Sequence, residues 1–217
     1  MSTHQVLFAT TNPHKLNEVR AIFAGHDIEI LSLDDLVSEK NITEPDETGD
    51  TFEANARMKA RHYAHLTGRP TLADDSGLEV DILGGDPGVR SARFAKLDGP
   101  AITRSERDEA NNKKLLWKLE EVPDNMRHGR FVCVLCLADP AGRILATSRG
   151  TIEGSIAHEP RGGNGFGYDP LLLVAGDPKG RTSAELSPEE KNERSHRAAA
   201  ARGIAPQIVA SLSGEPV

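Results

Sequence analysis

The stretch Ala73–Asp81, ADDSGLEVD, sets two carboxylates side by side and follows them with a hydroxyl, a glycine and further acid. Hydrolysis of a phosphoanhydride asks for this kind of group: a metal ion to neutralise oxygen charge and a base to deliver an in-line water. Magnesium takes one or two carboxylates and completes its shell with waters and substrate phosphates. Asp74 and Asp75 meet that need at a strand end if one faces the ligand while the other fixes the turn. A plain structural turn accounts for the same residues. Glu44, Asp46 and Glu47 form a second acidic group, a further ligand source or simply solvated surface.

Cations must accompany carboxylates if phosphates are to bind. TTNPHK, Thr10–Lys15, lies between a strand-like run and a helical one. Unpaired backbone N–H groups at such a helix start, at the positive end of its dipole, suit phosphate oxygens, and Lys15 adds a full charge. The structural alternative makes Asn12 an N-cap and Pro13 the first helical residue. Asn55 and Lys59, four apart, share one helix face. His62 and His65 lack the glutamate of an HExxH site, so no zinc is expected there.

The C-terminal third carries RGGNGFGYDP, whose four glycines permit positive φ and close backbone approach to a ligand. Neither GxGxxG nor GxxxxGK[ST] occurs, which excludes a Rossmann or P-loop reading. In SPEEKNERSHRAAA, Ser187, Pro188 and Glu190 make a helix start. On one continuous helix His196 and Arg197 would point about 140° and 240° round from Lys191, so the three could not meet one ligand. A chain break near Asn192–Arg194, with Ser195 capping a new helix, lets them converge, and this break is expected.

Positioning these groups are alternating strands and helices without internal repeats. Strands are expected at Gln5–Thr10 and Asp27–Leu33, and helices at Leu16–Ala24, from Asp50 or Thr51 to about Leu66, and from Thr103 to about Glu120. Arg130–Ala138 and Ile144–Ser148 read as a hairpin across DPAGR. Crossover units together with a hairpin predict an α/β protein with a mixed central β-sheet flanked by helices. Trp117 reads as a core or dimer-contact residue. Cys133 and Cys136, three apart on a strand, point to opposite sides, as buried thiols and not as a CxxC site.

The 217 residues, 37% hydrophobic and 27% charged, suffice for one large or two small domains; here a single domain, 1–217, in two lobes around a nucleotide-binding cleft is expected. A net charge of -7 argues against nucleic acid as a partner. No apolar run approaches membrane-spanning length and no basic-then-apolar leader opens the chain, so a soluble, cytoplasmic protein without membrane partners is expected.

Five blocks in order, TTNPHK, DETGDTFEANARMKA, LADDSGLEVDILGGDPGVRSARF, GGNGFGYDP and EEKNERSHR, closely resemble the inosine and xanthosine triphosphate pyrophosphatase family, from about residue 6 to 203. That resemblance implies hydrolysis of non-standard purine nucleoside triphosphates (dITP, ITP, XTP) between the α and β phosphates, with Mg2+ as cofactor and a homodimer as the assembly. It implies Glu47 and Asp75 as magnesium carboxylates, with Asp75 also the proton acceptor. Thr10, Thr11, Asn12, Pro13, His14 and Lys15 correspond to substrate-binding positions, as do Ser76, Phe166, Gly167, Tyr168, Asp169, Lys191, His196 and Arg197. Asn55, Lys59 and Asp74 fall in family motifs as supporting pocket residues. Ala198 stands where the family commonly has glycine, which bears on the first turn of the last helix. Base choice is expected to rest on the purine six position, with donors from His196 and Arg197 and with Phe166 as the stacking ring. Adenine would leave those donors unpaired, at about 1 to 3 kcal/mol for each buried group.

Overall fold

The computed structural model describes residues 3–36, 43–97 and 102–213; of the acidic loop NITEPDETGD, Asn41 and Ile42 lie outside them. The elements run β1 (His4–Phe8), α1 (Pro13–Phe23), β2 (Ile28–Leu31), α2 (Phe52–Thr67), β3 (Thr71–Val80), α3 (Arg104–Lys118), β4 (His128–Ala138), β5 (Ile144–Ile156), β6 (Leu172–Val174), α4 (Pro188–Arg194) and α5 (His196–Ser213). Strand order in the sheet is β2-β1-β3-β4-β5-β6. β1 pairs in parallel with β2 and β3, whereas β5 and β6 are antiparallel. The sheet is therefore mixed, as the sequence predicts. No helix among the described residues is long and apolar enough to cross a membrane.

The chain divides into two compact units, the first Met1–Asp75, Cys133–Gly150 and Ser195–Val217, the second Ser76–Val132 and Thr151–Arg194. The first unit is built on Val6, Phe8, Val19, Phe23, Leu72, Cys133, Leu135, Ile204 and Ile208, all buried. α2 belongs here. Thr51 caps it through Oγ1 to the N–H of Ala54, and Gly68 closes it at φ 69°, a left-handed conformation that glycine adopts without a Cβ penalty. Its buried stripe is Phe52, Asn55, Ala56, Lys59, Ala60, Tyr63 and Ala64, so an amide and an ammonium sit inside an otherwise apolar face.

The second unit packs Leu78, Val80, Phe94, Leu115, Leu119, Phe131, Tyr168 and Leu171. α3 opens on the expected capping box, Thr103 and Glu106 bonding each other's backbone. Arg127, 2% exposed, donates to the carbonyls of Leu119, Ile156 and Ala157, tying the end of α3 to the end of β5.

Three expectations change. ADDSG is no turn: Asp74 and Asp75 lie in the middle of the ten-residue β3. β5 runs on to Ile156, well past Ser148. Trp117, at 71% exposure, is not a core residue. Both cysteines are buried and free, as expected.

Within the first unit α5 lies directly on β5 at Gly150, where a Cβ would stand 2.2 Å from the His196 carbonyl oxygen and 2.3 Å from the Ala200 nitrogen. Neither atom can swing aside, since both are backbone. Gly150→Ala should lower the unfolding free energy by about 3 kcal/mol, through overpacking that the helix can relieve only by lifting away. Urea unfolding measures this, and an unchanged midpoint would show that the helix does not depend on that contact.

Candidate active site

β3 is the scaffold of the first cluster. Successive side chains on a strand point to opposite faces, so Asp74 and Asp75 enter two different surroundings although adjacent in sequence. Asp74 is 2% exposed and lies 2.8 Å from the Lys15 ammonium and 3.4 Å from the Arg197 guanidinium. Burial alone would raise its pKa, but Lys15 and Arg197 outweigh that and hold the carboxyl well below the usual carboxylate range. Arg197, 1% exposed, also donates to Glu18. Two cations thus answer two carboxylates.

Asp75, 6% exposed, accepts from the Asn55 amide at 3.0 Å and from Lys59 at 3.3 Å. Lys59 also donates to Glu47 at 2.5 Å. Asn55 Oδ1 meanwhile accepts from the N–H of Gly49, so one fully buried side chain fastens the acidic loop to the strand. Here the Lys59 ammonium bridges two carboxylates. Burial, the largest influence, and the neighbouring Glu47 charge push the Asp75 carboxyl up, and the pull of Lys59 does not restore it. The Lys59 pKa is raised: burial opposes its charge, but Asp75, Asp74 and Glu47 prevail.

Magnesium's donor preferences fit this second pair. Glu47 and Asp75 converge on one cation, they carry one negative charge more than Lys59 cancels, and both are hard oxygen donors. Among the described residues no three His, Cys, Asp or Glu side chains gather as a closed metal cage.

TTNPHK takes the capping arrangement. Asn12, 7% exposed, caps α1 through Oδ1 to the His14 N–H, with Pro13 at the first helical position. Its Nδ2 is buried with no hydrogen-bond partner among the described residues. Thr10 accepts from the Asn12 N–H, Thr11, Pro13 and His14 are exposed, and Lys15 reaches Asp74 from the first turn. Ser76 is half-buried on β3, just beyond Asp75.

The expected break between the last helices is present. α4 ends at Arg194 and α5 begins at His196, and Ser195 accepts from the Ala198 N–H through Oγ. Ala198 is fully buried in an ordinary helical turn, so alanine is accommodated where glycine is common in the resembling family. His196, 7% exposed, opens that turn.

A second cluster belongs to the second unit. Asp169, 3% exposed, accepts from the Phe166 N–H at 2.8 Å, from Ser183 Oγ at 2.8 Å and from the Lys191 ammonium at 2.7 Å. The ammonium of Lys191 lies 5.1 Å from the Phe166 ring centroid, and the Arg104 guanidinium 5.2 Å from it. Tyr168 is buried in the core and donates its hydroxyl proton to the Ser91 carbonyl, while burial raises its pKa. Three of the four glycines in this loop, 162, 165 and 167, have positive φ.

Sequence reasoning missed Glu18, the partner of Arg197, and the residues of α3 that bond Gly167. Glu18 lies 179 positions from Arg197, and no local pattern announces such a pair.

Together the mixed sheet, the two-sided aspartate strand and the glycine-rich clamp define an α/β protein equipped to handle phosphate esters or anhydrides. The sequence profile of the Ham1 family matches residues 6–207. The chain belongs to the Ham1 family. It is 46% identical over 212 residues to a dITP/XTP pyrophosphatase of Cutibacterium acnes, covering 97% of this chain and 98% of that one. A dITP/XTP pyrophosphatase of Exiguobacterium is 48% identical, with 97% and 100% covered. Among solved structures it is similar to a HAM1 protein from Coxiella burnetii, with a TM-score of 0.80, 38% identity and coverage of 95% and 98%.

Because the Asp74 pKa lies below its unfolded value, its contribution to stability is complete above about pH 5 and declines as the pH falls toward 2. The unfolding free energy of the wild type should therefore drop more steeply over that range than that of Asp74→Asn, measured by urea unfolding at successive pH values. Arg197→Met, which removes the buried guanidinium shared by Glu18 and Asp74, should cost about 3–5 kcal/mol at neutral pH.

Proposed function

We propose that this protein hydrolyses non-standard purine nucleoside triphosphates, dITP, ITP and XTP, to the monophosphate and pyrophosphate. The naming of its relatives as dITP/XTP pyrophosphatases supports the substrate class. The observation that carries the chemistry is the division of labour on β3, where Asp74 pairs with Lys15 and Arg197 while Asp75 accepts from Asn55 and shares Lys59 with Glu47.

Lys15, the N–H groups at the start of α1 and the orphaned Asn12 amide bind phosphate oxygens, and the ion pair with Asp74 aims the Lys15 ammonium. Glu47 and Asp75 would hold magnesium, which would supply charge neutralisation on the phosphates. Lys59 keeps those two carboxylates together and charged. Asp75 orients the attacking water and accepts its proton, and Asn55 fixes the direction of its lone pairs. Phe166 offers the base a stacking face, and Lys191, whose ammonium lies 5.1 Å from that ring, offers a donor beside it. Arg197, enclosed by Glu18 and Asp74, acts by holding the α1–β3 geometry, a different duty from direct base contact.

The enzyme is further proposed to act as a homodimer on the cytoplasmic nucleotide pool, independently of nucleic acid. The exposed Trp117 indole supports an assembled surface.

Pyrophosphate release is expected from dITP and XTP with magnesium, slowly or not at all from dATP and dGTP, and not after chelation of divalent ions; equal rates on all four nucleotides would remove the selectivity. Asp75→Asn should lower kcat by about 10²–10⁴-fold while much of the nucleotide binding survives. Unchanged turnover in that variant would exclude Asp75 as the base. A non-catalytic nucleotide-binding protein would bind dITP and release no pyrophosphate at all.

A further inference from the structure

The Phe166–Gly167 segment does not hold its own shape. Gly167 has φ 63°, and both polar atoms of its backbone are bonded to one helix. Its N–H donates to Asp108 Oδ2 at 2.9 Å, and its carbonyl accepts from Asn112 Nδ2 at 3.0 Å. Asp108 and Asn112 are four apart on α3, and Arg104, four earlier, carries the guanidinium that lies over the Phe166 ring. Residues four apart on a helix share one face. A single stripe of α3, Arg104–Asp108–Asn112, therefore grips the ring and the peptide beside it.

This grip is directional. Asp108 can only accept, and Asn112 is oriented to donate, so the Gly167 peptide can sit in one orientation. Asn112 is 9% exposed, and its Oδ1 has no hydrogen-bond partner among the described residues, so the bond to Gly167 is what its amide contributes. From the other side Asp169 takes the Phe166 N–H. Phe166 is thereby fixed through its own N–H, through its ring and through the following residue. The capping box at Thr103 and Glu106 sets where the stripe begins.

We infer that Asp108 and Asn112 are positioning residues that set the stacking face of Phe166 and so the base selectivity of the enzyme. Both belong to the second unit, whereas Glu47, Lys59 and Asp75 belong to the first. This inference rests on the proposed base contact by Phe166. If it holds, loosening the grip weakens recognition of the base and leaves phosphate chemistry intact.

The test compares Asp108→Ala, Asp108→Asn and Asn112→Asp in the full-length protein, with dITP and dGTP as substrates and inorganic pyrophosphate as a competitive inhibitor. Asp108→Ala removes the acceptor, and Asn112→Asp sets a carboxylate against the Gly167 carbonyl. Each should raise the KM for dITP by about tenfold, the equivalent of one or two lost hydrogen bonds, and narrow the dITP-to-dGTP ratio of kcat/KM. The kcat for dITP should stay within about threefold and inhibition by pyrophosphate should not change, because interactions uniform to ground and transition state act on KM. Asp108→Asn keeps an oxygen that can accept the Gly167 N–H and should restore the wild-type values. The inference is overturned if both disruptive variants keep the wild-type selectivity ratio, or if kcat and pyrophosphate inhibition fall together with KM unchanged, the pattern of general loosening. A wild type that turns over no dITP at all would refute the proposed function itself, a separate result from a wild type that is active and variants that remain selective.

Discussion

The pleat of one strand governs the chemistry of this molecule. Neighbouring side chains on β3 must face opposite ways, and Asp74 and Asp75 are neighbours. Had the pair lain in a turn, both carboxyls could have shared solvent and the same pKa. Instead the fold supplies Asp74 with Lys15 and Arg197 and leaves Asp75 with Asn55 and a lysine that it divides with Glu47. One carboxylate is held charged; the other is under pressure to take up a cation or a proton. Two adjacent identical residues acquire different roles through surroundings alone.

Charge counting explains why the first arrangement is durable. Removing charges from water costs several kcal/mol per ion unless partners are close and well oriented. Lys15, Arg197, Glu18 and Asp74 meet that condition with two charges of each sign, gathered from α1, β3 and α5. Cys133 nearby registers the dryness of the place: burial pushes its thiol up to about 12. Lys59 instead bridges Asp75 and Glu47, the two hard oxygen donors proposed to hold magnesium.

How much of this the sequence discloses depends on whether a signal is local. Ser195 as a cap was legible because three cations on one continuous helix would diverge; the break is present, although Lys191 pairs with Asp169 and Arg197 with Glu18 and Asp74. Asn12 was legible as a cap from Pro13 beside it: Oδ1 caps, and Nδ2 has no hydrogen-bond partner among the described residues. The ADDSG stretch misled for a physical reason. Asp, Ser and Gly favour turns, but that preference is weak against tertiary pairing. Gly77 is needed for a different purpose, because a Cβ there would stand 2.3 Å from Ser91 Oγ and 2.6 Å from the Gly88 carbonyl oxygen. Glu18, Asp108 and Asn112 carried no local mark, since their partners lie 179, 59 and 55 residues away.

The glycine-rich loop extends the same logic to the second unit. Asp169 is satisfied by a backbone N–H, a hydroxyl and an ammonium, all within 2.8 Å. Gly165 must be glycine twice over, for its φ of 82° and because a Cβ would meet Asp169 Oδ2 at 2.1 Å. A loop held this tightly from α3, Ser183 and Lys191 has already met the conformational entropy of ordering during folding, and a ligand need not supply it again. Selectivity benefits for the same reason. Under the proposed stacking of the base on Phe166, a ring fixed from α3 and from Asp169 would accept a base only in the plane it already presents, whereas a mobile ring would adapt to any purine.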